Sequence, residues 1–394
     1  MRSPPWMTRR LWLGWGAGLV ASSAGAQSST LPSTPLSTPG LTPPGAPTTR
    51  PRVLPGQPLR FPRDHGAHPD HRTEWWYITG HLRPDGATAH PGFGFQITFF
   101  RTRVDEAEGN PSALAARQLL MAHVALTDLQ GRQLLHDQRL LRAGLGLADA
   151  AEADTRVHLR DWRLHREARN TPHGAGSRYV ADLPTRAFGL QLTMDSTQPV
   201  LLQGPDGYSR KGPVPEEASR YYSQPQLQVR GQLRLNGMPQ PVQGLAWMDH
   251  EWSEGYLPGE AVGWDWLGIN LRGGGALMLF RMRNAAGQAV WAGGSWRRAD
   301  GTVQRFSPEQ LRFEPLAHWR SPATGALYPV HWRLHTPLGR LTLKARLQAQ
   351  ELDGQASTGA VYWEGLSDLL DEAGQPLGLG YLEMTGYVRP LRMR

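Results

Sequence analysis

Apolar and polar residues alternate along this chain with a period of two, in short runs separated by turn residues. The cleanest run covers 226–235, where Leu227, Val229, Leu233 and Leu235 oppose Gln228, Arg230, Gln232 and Arg234. That pattern predicts a strand with one buried face. Asn236-Gly237 follows, a strong hairpin signal, and the returning strand ends in Trp247-Met248-Asp249-His250-Glu251-Trp252. Further strands are predicted over 92–103, 119–128 and 133–140, with a turn at Leu129-Gln130-Gly131-Arg132. Another holds Leu190, Leu192 and Met194 on one face. Residues 141–153 read as a short helix.

The densest stretch is His71-Arg72-Thr73-Glu74-Trp75-Trp76-Tyr77-Ile78-Thr79-Gly80-His81-Leu82. Three large rings in succession suit a pleated strand. Its side chains then alternate between faces, Glu74, Trp76 and Ile78 on one, Trp75, Tyr77 and Thr79 on the other. The pattern restarts at Trp264-Asp265-Trp266-Leu267-Gly268-Ile269, and Phe280-Arg281-Met282-Arg283 echoes Phe100-Arg101-Thr102-Arg103. Asp300-Gly301 repeats the turn at Gln130-Gly131, and the chain closes on Gly380-Tyr381-Leu382-Glu383-Met384-Thr385-Gly386-Tyr387. Each half holds enough antiparallel strands to close a barrel of about eight. The expectation is therefore an all-β chain of two tandem antiparallel barrels, 61–255 and 256–394. Matching the closing strands sets Asp249, His250 and Glu251 against Thr385, Gly386 and Tyr387.

Composition adds the frame. The 394 residues hold 45 Gly and 33 Pro, as a turn-rich β chain would. Residues 1–26 read as an export signal: Arg9-Arg10, an apolar run, then Ala24-Gly25-Ala26. Thr8-Arg9-Arg10-Leu11-Trp12-Leu13 resembles a twin-arginine signal, so the protein is expected outside the cytoplasm, periplasmic or secreted. Residues 27–60, rich in Ser, Thr and Pro, read as a tether. The absence of cysteine excludes disulfides and thiolate chemistry. Net charge is +8, but no basic run interleaves with aromatics, which speaks against nucleic acid. His65, His68 and His71 would make a metal face on a helix, yet Gly66 and Pro69 argue for a polar entry loop, and no metal is expected.

The candidate chemistry is acid–base. Alternation sets Asp249 and Glu251 on one face and His250 with Trp252 on the other. Asp265 shares a face with Leu267 and Ile269, so it is either paired in the core or an acid with a raised pKa. Glu74 is expected to pair with Arg72 or Arg101. Glu364 and Glu383 are expected in structural pairs with arginine, and His81 and His123 as satisfied core or rim residues. Gly-x-Ser-x-Gly, a phosphate loop and a dinucleotide fingerprint are absent from the sequence, which favours a cofactor-free site.

The stretches Glu74 to Leu82, Gly94 to Arg101, Asp249-His250-Glu251-Trp252, Tyr362-Trp363-Glu364-Gly365 and Gly380 to Tyr387 resemble the motifs of the AttH and carotenoid 1,2-hydratase family. The resemblance implies lipocalin-like barrels and, in some members, addition of water to a double bond of an acyclic polyene. Such chemistry needs a carbon-protonating acid, a dry aromatic pocket and one water. Asp265 or Asp249 would be the acid and His250 its partner, with Glu251 and Glu74 completing the candidate set. Trp75, Trp76, Tyr77, Trp252, Trp264, Trp266 and Trp363 would form the walls. The alternatives are a carrier of a lipid or other hydrophobic ligand, touching membranes transiently during exchange, and a hydrolase or pericyclase-type enzyme in the same pocket.

Overall fold

A computed structural model describes residues 50–86, 91–255 and 257–391. The signal at 1–26 and the tether up to residue 49 lie outside the described residues. Residues 50–60 do not behave as free tether. Val53 is buried against Tyr208 and Ala218, and the Arg220 guanidinium donates to the Leu54 carbonyl at 2.6 Å.

Two antiparallel sheets, each curled into a barrel, make up the described fold. The first is built from β1 (Thr73–Pro84), β2 (Phe93–Arg103), β3 (Gln118–Asp128), β4 (Gln133–Arg142), β5 (Ala148–Ala150), β6 (Arg156–Leu159), β7 (Trp162–Thr171), β8 (Gly174–Pro184), β9 (Phe188–Asp195), β10 (Leu201–Leu202), β11 (Tyr208–Arg210), β12 (Ala218–Leu235) and β13 (Met238–Ser253). The second is built from β14 (Gly263–Leu271), β15 (Ala276–Arg283), β16 (Ala289–Arg297), β17 (Val303–Phe306), β18 (Arg312–Arg320), β19 (Leu327–Thr336), β20 (Gly339–Ala345), β21 (Glu351–Gly354), β22 (Ala360–Leu370) and β23 (Pro376–Thr385). The 13-stranded sheet runs β4-β3-β2-β1-β13-β12-β9-β8-β7-β6-β5, and the 10-stranded one β17-β16-β15-β14-β23-β22-β20-β19-β18.

Asn236 and Gly237 make the expected hairpin, both with positive φ as a two-residue turn of this kind demands. No helix forms over 141–153. Gly144, Leu145 and Gly146 all take positive φ and turn the chain into β5, a geometry incompatible with a helix.

Each barrel is filled by its own side chains. Trp76, Ile78, Phe95, Ile97, Met248 and Trp252 pack inside the first, and Leu267, Ile269, Leu277, Trp332, Trp363 and Met384 inside the second. Full burial of such large side chains stabilises each interior by roughly 2 kcal/mol apiece. A third apolar cluster, including Tyr77, Trp247, Trp266, Phe280 and Tyr381, lies between the barrels on their outer faces. A latch adds to it: His123 of β3 bonds the Tyr362 hydroxyl of β22 at 2.6 Å and the Ser357 hydroxyl at 2.6 Å. Ser357 donates onward to Gln138 at 2.6 Å, so His123 is satisfied as the sequence implied.

The two halves repeat, but in a register different from the one the closing-strand match implies. Glu74 faces Arg101 across β1 and β2, and Asp265 faces Arg281 across β14 and β15. From those anchors Trp75 pairs with Glu251, and Trp266 pairs with Glu383. Glu251 therefore matches Glu383, and Asp249 matches Tyr381 rather than Thr385. An even slip along a strand leaves every side chain on its own face, so alternation alone does not detect it.

Candidate active site between the two barrels

A cavity of about 340 Å³ lies between the outer faces of the barrels, within the size range of small-molecule sites. Two equivalent cross-strand rows form its walls. In the first sheet the row is Phe100, Trp75, Glu251 and Tyr221, and in the second it is Phe280, Trp266, Glu383 and Glu364. All eight line the cavity, with Tyr77, Asp249, Trp264 and Lys211. Period-two alternation puts them there: each row residue points outward because its sequence neighbours Glu74, Trp76, Asp265 and Leu267 fill the barrel interiors.

The carboxyl groups differ sharply in their surroundings. Glu251 is held by the Lys211 ammonium at 2.8 Å and accepts from the Ser219 hydroxyl. Asp249 accepts from Ser223 at 2.5 Å, Trp247 at 2.7 Å and Tyr221 at 2.7 Å. Burial pushes Asp249 up to about 7 against those three donors. Glu383 accepts a Trp264 indole N–H at 3.2 Å. Burial pushes it up to about 8, with the Asp249 and Glu251 charges acting the same way.

Glu364 is the most unusual of the set. One oxygen, Oε1, accepts from the Tyr77 hydroxyl, which reaches across from the other barrel. The other, Oε2, is buried and has no protein partner. Burial, then the neighbouring Glu383, push its pKa well above the usual carboxylate range despite the Tyr77 bond. Glu364 thus brings to the cavity lining a carboxyl that favours its protonated form. The arginine pairs expected for Glu364 and Glu383 do not form; a tyrosine and a tryptophan take those places.

Of the sequence-predicted site residues, Trp75, Tyr77, Trp264, Trp266, Asp249 and Glu251 line the cavity. Three other expected walls do not: Trp76 and Trp252 fill the first barrel and Trp363 the second. Asp265 is not at the cavity either. It is fully buried inside the second barrel, bonded by Arg281 at 2.7 Å and Tyr387 at 2.8 Å, with Arg283 at 3.7 Å. An acid clamped by two guanidinium groups is an ion-pair anchor rather than a proton donor.

Glu74 and His250 form the corresponding anchor in the first barrel. Glu74 accepts from His250 at 2.9 Å, His68 at 2.8 Å and Arg101 at 2.8 Å. Burial opposes its charge, yet the two histidine bonds and the Arg101 charge hold it well below the usual range. Glu74 and Arg101 border the cavity, while His250 stacks on Trp76 inside the barrel. His68, Glu74 and His250 together have the donor set of a metal site. Their atoms are already joined through one shared Glu74 oxygen, and Arg101 claims the other, which describes a closed hydrogen-bonded cluster. His65 turns away to Tyr222 at 2.7 Å, so the three entry-loop histidines do not converge.

Fold and cleft define a class: a two-barrel β protein whose candidate site is shared between its barrels. The chain belongs to the AttH-like family, which matches residues 52–387. It is similar to the crystal structure of an AttH-type protein from Nitrosomonas europaea, 44% identical, with TM-score 0.77, covering 85% of this chain and 99% of that one. It shares its fold with kievitone hydratase from Nectria haematococca, at 13% identity and TM-score 0.63, over 84% of this chain and 93% of that one. No curated protein matched the sequence.

Proposed function

We propose that this protein is a cofactor-independent hydratase-type enzyme, adding water to a double bond of an isoprenoid or polyene held between the barrels. The observation that carries the reading is Glu364, a buried carboxyl of raised pKa that lines an aromatic cavity and whose Oε2 has no hydrogen-bond partner in the protein. The hydratase fold-mate is a second, weaker support.

In the proposed step the Glu364 proton moves to the less substituted alkene carbon, leaving a tertiary cation. The faces of Trp75 and Trp266 stabilise that cation. Water adds to it, and its surplus proton passes to Asp249, whose pKa of about 7 suits it to take up and release a proton near neutral pH. Return of that proton to Glu364 resets the site, and alkene plus water becomes alcohol. Tyr77 pairs with Asp249 across the strands and bonds Glu364, so it stands between the two acids. Environments that push two acids apart in role are the signature of such sites.

Export belongs to the same proposal, resting on the Arg9-Arg10 pair and the Ala24-Gly25-Ala26 site. Among the described residues no helix is long and apolar enough to cross a membrane. The ligand is an apolar small molecule, not nucleic acid.

The test is turnover of an acyclic isoprenoid alkene in deuterated water, wild type beside Glu364→Gln. The expected product carries one deuterium on carbon, and the variant loses at least about 100-fold in rate. Equal turnover in the variant would remove Glu364 from the mechanism. The same unmodified lipid bound to both proteins would make this a carrier.

A further inference from the structure

A second buried polar atom in the cavity is unused by the proposed chemistry. Gln96 of β2 is 2% exposed and lines the cavity. Its amide nitrogen donates to the Thr98 hydroxyl at 2.5 Å, the side chain also bonds the Tyr362 hydroxyl, and its Oε1 has no hydrogen-bond partner. It sits on the same outward face as Thr98, whose strand neighbour Tyr77 holds Glu364. A buried carbonyl oxygen without a donor is a cost that a bound donor recovers. Gln96 therefore offers a hydrogen-bond acceptor on the β2 wall of the cavity.

Resting on the assignment of this cavity as the ligand site, we propose that Gln96 selects ligands bearing a hydroxyl group on their apolar skeleton. The natural ligand is then an oxygenated isoprenoid or similar lipid alcohol or phenol, rather than a plain hydrocarbon. The ligand O–H donates to Gln96 Oε1, while the aromatic walls take the chain. Sites built to bond a hydroxyl reject analogues that lack it, because the site's own polar atom is then left unpaired.

Quenching of the cavity tryptophans measures this directly in the full protein. The probes are farnesol, farnesyl methyl ether, which keeps the oxygen but donates nothing, and farnesal, which only accepts. Wild type is expected to bind farnesol about tenfold more tightly than the ether, a difference of about 1.4 kcal/mol. Gln96→Leu is expected to erase that preference while keeping its fold by circular dichroism. Equal affinities in wild type, or a farnesol preference that survives in Gln96→Leu, would overturn the proposal. Tighter farnesal binding would overturn the donor requirement. If none of the three probes quenches wild type, the cavity assignment itself fails, which separates that failure from loss of selectivity. Should Gln96→Leu not fold, Gln96→Met gives a second reading: an unbranched side chain of similar size without the carbonyl acceptor loses the preference for farnesol over the ether, and its survival there would also overturn the proposal.

Discussion

Glu251 and Glu383 occupy equivalent places on the two barrels, opposite Trp75 and Trp266, and face the same cavity. Lys211 stands 2.8 Å from the first, and an indole N–H 3.2 Å from the second. The repeat thus keeps the carboxylate, and the loop that supplies or withholds a cation decides what it does. Lys211 follows β11, a short strand that the first barrel adds alongside β12. The same contrast runs one column over, where Tyr221 of the first row stands where Glu364 stands in the second. Gly268 replaces Tyr77, and a Cβ there would strike the Trp266 ring, so the second barrel gives up a tyrosine to seat an indole. One wall pairs its glutamate with a lysine, while burial raises the pKa of both glutamates on the other.

The sharpest way to break that comparison is to remove the neutral acid, with the loss in turnover stated above for Glu364→Gln. Next is Lys211→Met, which strips the cation from Glu251 and leaves a buried carboxyl unpaired. A loss of about 3 kcal/mol is expected in denaturant unfolding. The double variant Lys211→Met/Glu251→Gln should recover most of it, and failure to recover would mean Lys211 acts elsewhere. Asp265→Asn should also cost about 3 kcal/mol, since Arg281 and Arg283 lose their partner, yet leave catalysis within a few-fold of wild type. Abolished turnover in a folded Asp265→Asn protein would restore it to the catalytic set.

The smallest effect is a pH slope. Glu383 and Asp249 have folded pKa values of about 8 and about 7, above those of an unfolded chain. The fold therefore binds more protons than the unfolded chain between roughly pH 4 and these values. Their contribution to stability is full below that window and is lost as pH rises through it. Glu383→Gln should lose part of this slope, so its Tm relative to wild type rises from pH 5 to pH 8. A difference that stays flat would place Glu383 in an ordinary ionised state.

The fold was largely legible because strand alternation and turn residues report the backbone directly, and the Phe-Arg pairs at 100–101 and 280–281 mark the repeat. Alternation also sorted Asp249 and Glu251 from His250. It could not say which face of a strand meets a barrel interior and which meets the other barrel. That is why Asp265 looked like an acid on an apolar face: its guanidinium partners come from β15, with no local signal of contact. Glu364 was passed over for the converse reason. Its environment is set by Tyr77, a residue 287 positions away in the chain, and by a cavity that exists only where the barrels meet. A tandem-barrel sequence carries one usable hint, a Glu among aromatics on both central closing strands without an Arg in register.

Infrared difference spectroscopy of wild type against Glu364→Gln at pH 7 tests the neutral acid most directly. A protonated carboxylic acid band present in wild type and missing from the variant is the predicted result. Loss of only carboxylate bands on substitution would show Glu364 ionised at rest, and would contradict a proton poised in the cavity.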